Sequence, residues 1–399
     1  MRKPQESYLR QVRKFADLSY SACMRDLETL VNIDSGHGNI EGLRRFAGIS
    51  GRLLKKIGCE VRTYDSDVHG PVVVGRLLGK GKARILLLAH MDTIWPAGTC
   101  AKRPFVMKGV HAFGPGVADC RSGIAVGSYA LKCLTEMGYR GFAEIVLLMN
   151  PDEEIGSPFS KWIIRREATK ADVALILEAP DHANEFISSR GGMMRYRIEV
   201  FGKAAHSGVS PQKGSNAIVE LISKLQKAQG LARLSGVTPN VAQISGGTCS
   251  GTVPDYAVAT YEARITNRAV IAAVDEKLNS LVRANSVPGT RARLEGGLTH
   301  PPIERDARSA LFIDLVKDCG SVLGMRLKDR FCGGASDGGF CSETGTVSID
   351  GLGPLGARFH TADEQLDTST IKPRIELLSL LMTAVSENEE CWSRKEASR

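Results

Sequence analysis

No stretch of this 399-residue chain is apolar over anything near the roughly 20 residues that a membrane-spanning helix needs, which excludes a helical membrane protein. The basic start, MRKPQESYLRQVRKFADLSY, is followed by no apolar segment of the kind a secretory signal requires, so a cytoplasmic location is expected. Cysteine occurs ten times but never as C-x-x-C, which argues against a zinc ribbon, a dithiol redox motif or a disulfide framework and leaves reduced thiols. Concentrated charge is missing too. The 52 Lys and Arg exceed the 44 Asp and Glu by 8, but they are spread along the chain. Nucleic-acid binding is therefore disfavoured, and an anionic small substrate suits the same balance. No internal repeat or low-complexity tract is visible.

What is present is a globular composition, 43% hydrophobic and 24% charged, in a chain long enough for two domains that each bury a core. The first third alternates helix-like and strand-like patterns. Amphipathic helices are expected over 21–33 and 40–58, buried strands over Val72–Leu77, Ile85–Ala89, Glu144–Met149 and Val173–Leu177, and a glycine-rich loop over Gly109–Gly116 ahead of a helix from Arg121 to Met137. This order predicts an α/β fold with a mainly parallel sheet flanked by helices. From Arg190 the pattern changes to longer alternating strands, such as Met194–Phe201 and Tyr256–Ile265, with helices over Ser215–Gln229 and Val270–Ala284. It returns to the first pattern after Leu294 and ends in a helix over Ile371–Ser386. The reading is a discontinuous domain over 1–189 and 298–399, interrupted by a smaller α+β domain over 190–297.

The chemistry-bearing residues follow apolar runs, and ligands of open α/β sheets gather beyond the carboxyl ends of the strands. ILLLAHMD delivers His90 and, two residues on, Asp92, the arrangement of a histidine ligand and the carboxylate that fixes its tautomer. GPGVAD delivers Asp119 just before a helix, where an ordinary N-cap is the competing explanation. IVLLMNPDEEIGS puts Asp152, Glu153 and Glu154 in a row, which repel one another unless a cation neutralises them or water solvates the turn. LILEAP adds Glu178, and a loop after GLGPLG adds His360. Each has a structural explanation by itself. Together, two histidines and three carboxylates with a fourth carboxylate beside them are what a pair of divalent ions and one base need. Nitrogen and oxygen donors without thiolates suit zinc, with cobalt or manganese as alternatives.

On these motifs the chain resembles the di-zinc metallopeptidase and amidohydrolase family of bacterial glutamate carboxypeptidase, aminoacylase, acetylornithine deacetylase and succinyl-diaminopimelate desuccinylase. The pattern of glutamate carboxypeptidase is the nearest of these. LLLAHMD, GxGxxD, DEExGS, LEAP, GKAAHSG, GGASD and DGLGP followed by a histidine occur in family order from about residue 20 to 385. The resemblance implies that Asp119 bridges two metal ions, with His90 and Glu178 completing one site and Glu154 and His360 the other. It implies Asp92 as the partner of His90, Glu153 as general base, and a cis peptide after Asp119. It further implies that the domain over 190–297 is a lid that also forms a homodimer, with His206 stabilising the oxyanion and Arg264 holding a substrate carboxylate. The expected activity is hydrolysis of an amide in an N-acyl amino acid or short peptide with a free carboxylate. The alternatives are a hydrolase of a non-peptide C–N bond and a binding protein that has lost catalysis.

The chain departs from the glutamate carboxypeptidase pattern where Gly251 stands for an asparagine, and where Phe331 stands for an arginine, with Arg330 one place earlier. Arg330 is thus the second candidate for substrate binding. Cys120-Arg121-Ser122-Gly123 replaces the usual residues after Asp119.

Overall fold

The computed structural model describes residues 6–180 and 182–392; Met1–Gln5, Asp181 and Ser393–Arg399, which fall within the ranges read as the first domain, lie outside the described residues. The chain forms two compact units, one of Met1–Ser189, Glu304–Phe331 and Phe340–Arg399, the other of Arg190–Ile303 with Cys332–Gly339.

The first unit is built on a six-stranded sheet in the order Glu60–Tyr64, Val72–Leu78, Glu144–Asn150, Arg84–His90, Val173–Ile176 and Val347–Ile349. The last four are mutually parallel, and the first two form an antiparallel edge. The apolar runs are continuous because both faces are covered: every residue of Glu144–Asn150 is buried. Side chains alternate between two cores. Ile85, Leu87, Ile145, Leu147 and Leu175 face the helices Glu6–Val31, Ile40–Ile57, Ser122–Glu136, Ala307–Val322 and Ile371–Glu387. Leu86, Leu88, Val146, Leu148 and Ile176 face the helix Lys161–Lys170. At about 1.5–3 kcal/mol for each large apolar side chain removed from water, this double burial is what holds the parallel strands together.

Two expectations are revised. The helix expected over 21–33 runs over Glu6–Val31, with Val12, Phe15, Ala16, Ser19 and Cys23 continuing its buried stripe towards the N-terminus. The segment expected as a loop over Gly109–Gly116 contains the strand His111–Phe113, which pairs with Gln365–Asp367 and Val106–Lys108.

The second unit is a four-stranded antiparallel sheet in the order Val237–Gly246, Tyr256–Ile265, Gly192–Phe201 and Arg291–His300, packed on one face by the helices Ala217–Ala228 and Ile271–Arg283. Its period-two pattern follows. In YAVATYEARI, Ala257, Ala259, Tyr261, Ala263 and Ile265 are buried, and the residues between them are partly exposed.

Among the described residues, no helix is long and apolar enough to cross a membrane.

Candidate metal centre

His90 is the last residue of the strand Arg84–His90 and is buried. Its Nε2 lies 3.0 Å from Asp119 Oδ1 and 3.6 Å from Glu178 Oε1. Its Nδ1 faces the Asp92 backbone carbonyl at 3.0 Å and Asp92 Oδ1 at 3.3 Å. With Nδ1 held by these acceptors, Nε2 is the ring nitrogen turned towards the two carboxylates. Asp92, fully buried, also accepts backbone N–H groups from Glu153 at 3.2 Å and Glu154 at 3.0 Å, so one carboxylate orients both the histidine and the acidic turn.

The second oxygen of Asp119 faces the other way. His360 Nε2 is 3.1 Å from Asp119 Oδ2 and 3.3 Å from Glu154 Oε2. Asp119 therefore stands between two histidine–carboxylate pairs, His90 with Glu178 and His360 with Glu154. Glu153 is the neighbour of Glu154 on the short turn Glu153–Ile155, and it is half-buried. Asp152, behind that turn, is buried and accepts the amides of Phe159 and Ser160 at 2.7 and 3.2 Å. The peptide between Asp119 and Cys120 is cis.

The electrostatics have one sense. Burial opposes charge on His90, but Glu178, Asp119 and Asp92 overcome it and hold the imidazole well above its usual range. His360 is raised to about 10 by its contacts with Asp119 and Glu154. Burial pushes Asp119 up, yet the two histidines outweigh it and keep the carboxyl below the ordinary range. Glu154 is raised, burial being the main cause. Three partly buried carboxylates thus call for positive charge at one place. The donor set fits a metal pair: atoms bound about 2.0–2.2 Å from a shared tetrahedral ion sit about 3.3–3.6 Å apart. The separations here run from 3.0 to 3.6 Å.

The remaining expected residues are elsewhere. Arg330, on the strand Lys328–Cys332 of the first unit, is paired with Glu185, Nε to Oε2 at 3.0 Å. His206 and Arg264 belong to the second unit. His206 Nδ1 accepts the amides of Gly208 and Val209, both at 3.1 Å, so the proton of the neutral ring sits on Nε2, which is left to donate. Arg264, on the strand Tyr256–Ile265, is 3.9 Å from Glu262.

Two residues that the motifs did not reveal support the centre. Glu364 is buried and accepts the backbone amides of Gly116, Ala118 and Asp119; burial, then the charge of Asp119, raise its carboxyl to about 7. Arg121, fully buried, donates to the carbonyls of Val31, Ile33 and Pro115 and to Ser35 Oγ. An acidic residue four places after His360, and an arginine inside an apolar helix start, were the available signals.

The model of peptidase family M20/M25/M40 matches residues 86–384. Carboxypeptidase G2 of Pseudomonas sp. (strain RS-16) is 30% identical over 370 residues, covering 90% of this chain and 88% of that protein. The aminopeptidase PepT of Bacillus cereus superposes with a TM-score of 0.74 at 21% identity, covering 92% and 98% of the two chains. A dinuclear metal-binding peptidase of Bacillus subtilis superposes with a TM-score of 0.67 at 13% identity, covering 93% and 99%. Two histidine–carboxylate pairs about a shared aspartate, on this fold and with this extent of matching sequence, identify the chain as a member of peptidase family M20/M25/M40, a metal-dependent family of hydrolases.

Proposed function

We propose that this chain hydrolyses an amide bond in an N-acyl amino acid or short peptide bearing a free carboxylate. His90, Asp119 and Glu178 would hold one divalent ion, and Asp119, Glu154 and His360 a second. Zinc is the expected metal, and cobalt or manganese suit the same donors. The observation that carries the reading is the Asp119 carboxylate, one oxygen facing His90 and the other His360. Bound there, the ions would supply Lewis-acid polarisation of the scissile carbonyl and a lowered pKa for the attacking water.

The protein's own groups do the rest. Asp92 keeps His90 in the tautomer that offers Nε2 and steadies the turn carrying Glu153. Glu153 takes the proton of the attacking water and passes it to the leaving amine. The Nε2–H of His206 donates to the oxyanion as charge develops on it. For the substrate carboxylate Arg264 is preferred to Arg330, because Arg330 is engaged by Glu185 at 3.0 Å and the nearest acid to Arg264 among the described residues is Glu262, 3.9 Å away.

A homodimer through the second unit is part of this reading. Val219 and Ile222 on its helix and Ile244 on its edge strand are exposed apolar side chains that a second copy would cover. Ten free cysteines accord with a reducing, cytoplasmic setting.

The test is hydrolysis of a panel of N-acyl amino acids and dipeptides by wild type and Glu153→Gln, with metal content measured on both. Wild type should release free amine. The variant should keep its metal and lose about 10²–10⁴-fold in rate. A metal-loaded wild type that cleaves nothing in the panel moves a non-peptide C–N substrate or a binding role ahead. A chain that takes up no metal refutes the reading.

A further inference from the structure

The loop that presents Asp119 is gripped by a side chain that belongs to neither metal-ion ligand set. Glu364 Oε1 accepts the amides of Ala118 at 2.9 Å and Asp119 at 3.1 Å, and Oε2 accepts that of Gly116 at 2.9 Å. Three amides from a four-residue stretch converge on one carboxylate because Gly116 takes the left-handed conformation, φ 66, which turns its N–H to the same side as the next ones. A Cβ at this position would meet Thr93 Cγ2 at 2.6 Å and the Asp119 carbonyl at 3.0 Å, so the turn is specific to glycine in space as well as in torsion.

Glu364 also stands on a firm base. The strand Gln365–Asp367 begins at the next residue and pairs with His111–Phe113, in the register Gln365 to Phe113 and Leu366 to Ala112. That strand pair ends where the loop to Asp119 begins. On its other side, Glu364 lies four residues beyond His360, in a segment closed on itself by Thr361 Oγ1 donating to the Arg358 carbonyl at 2.8 Å and Glu364 N to the Thr361 carbonyl at 3.2 Å. Glu364 thus fastens the Asp119 loop to the His360 loop, across 245 residues of sequence.

Why an acid is used follows from counting acceptors. The three amides need two oxygens and no donor. Glutamine has one oxygen, and its NH₂ would face the Gly116 N–H. A buried carboxylate is costly to desolvate, and the three amides offset part of that cost, which is tolerated where geometry matters.

We propose that Glu364 is a positioning residue for the Asp119–Glu154–His360 half of the centre, setting the distance between Asp119 Oδ2 and His360 Nε2 and hence how tightly that half holds its ion. This rests on the two-ion reading given above. Both Glu364 oxygens are taken up by the amides of Gly116, Ala118 and Asp119. Partners that orient metal ligands cost about 10–100-fold in metal affinity when removed, and the loss should fall on one ion only.

The experiment is zinc titration of the full metal-free chain against a competing chelator, for wild type, Glu364→Gln and Glu364→Ala. Thermal unfolding of the metal-free forms and the kinetics of the best panel substrate are measured alongside. Wild type should take up two ions. Glu364→Gln, which can still satisfy two of the three amides, should weaken one binding step by about 10-fold and leave the other within about 3-fold. Glu364→Ala should weaken the same step further, by about 100-fold. At limiting zinc kcat should fall with KM little changed, and added zinc should restore it. A purely structural brace would lower the metal-free melting temperature and leave the two binding steps alone, or weaken both equally; either pattern overturns the proposal. Should Glu364→Ala fail to fold, the Gln variant decides alone. If wild type takes up fewer than two ions, the two-ion reading falls and Glu364 with it; if it takes up two and Glu364→Gln does as well as wild type, only the role of Glu364 falls.

Discussion

The second unit holds a buried ion pair whose removal tests the electrostatic reasoning away from any catalytic group. Lys224, on the helix Ala217–Ala228, lies 2.8 Å from Glu220 Oε1, and both side chains are almost completely buried. The ammonium donates to the carbonyls of Leu281 at 2.7 Å and Ala284 at 2.8 Å, closing the C-terminal end of the helix Ile271–Arg283. Glu220 Oε2 in turn accepts the amides of Ser286 and Val287, at 2.8 and 2.6 Å. Lys224→Met preserves most of the volume but strands a buried carboxylate and leaves two carbonyls without their donor. Breaking a buried pair from one side costs about 3–5 kcal/mol. For a unit of this size that is a fall of about 10–20 °C in melting temperature.

Lys224→Met/Glu220→Gln, which removes both charges and keeps an acceptor for the two amides, should recover at least half of the loss. The pH dependence adds a second check. Burial raises the Glu220 carboxyl, but Lys224 and the Val287 and Ser286 amides outweigh it and hold it below the ordinary value. A depressed carboxylate contributes stability that is present above the unfolded value, about 4.3, and is lost as pH falls through the folded value. In Lys224→Met only the two amides oppose burial, and the folded value is expected to lie above the unfolded one. The variant then loses stability as pH rises between them, so the gap to wild type should narrow on acidification from neutral pH. The assay is thermal unfolding at several pH values, with amide exchange followed in the helix Ile271–Arg283. A loss below about 1 kcal/mol, or a double variant no better than the single one, would refute the argument.

Three further outcomes are expected. Gly123→Ala should abolish metal uptake and lower stability, because the new Cβ would lie 2.1 Å from the Leu177 carbonyl beside Glu178; Gly127→Ala, whose nearest obstacle is the movable Leu177 Cδ1 at 2.6 Å, should be much milder. Metal content and melting temperature read both. Chelation should lower the melting temperature, since an ion present at about 100 times its Kd contributes about 2.7 kcal/mol, and zinc should restore it; an unchanged transition would argue against a bound ion. His206→Ala should lower kcat by about 10²–10³-fold with metal content unchanged, and a variant as fast as wild type would remove His206 from the reaction.

The candidate residues His90, Glu154 and Glu178 were legible because each follows a run whose burial on both faces forces a strand, as His90 does after ILLLA, whereas Asp119 and His360 sit on loops and were read through the motifs around them. What was not legible depends on partners far away in sequence. Glu364 owes its role to amides at least 245 residues earlier, and its own neighbourhood offers only its place four residues after His360. The strand His111–Phe113 exists through pairing with Gln365–Asp367, whereas the local pattern, rich in glycine, reads as loop. The N-terminal half of the first helix was not legible because its buried stripe is thin. Val12, Phe15 and Ala16 are set among Arg and Lys, and only packing against Ile371–Glu387 and Ser122–Glu136 gives that stripe its weight. The edge strand Val237–Gly246 contains Pro239 and exposes most of its side chains, so its pairing with Tyr256–Ile265 is the main evidence for it.

The two halves of the centre are completed at very different moments in the life of the chain. Everything around His90, namely Asp92, Asp119 and Glu178, has been synthesised by residue 178, together with the parallel strands that carry it. His360 and Glu364 follow only after the whole second unit, and the strand Val347–Ile349 that extends the sheet has to be made before them. A ribosome releasing this protein therefore passes through a long interval in which Asp119 has one of its two histidines. During that interval the loop Gly114–Asp119 lacks the carboxylate that holds its amides, and the second half of the centre is assembled only after the last of the sheet is in place.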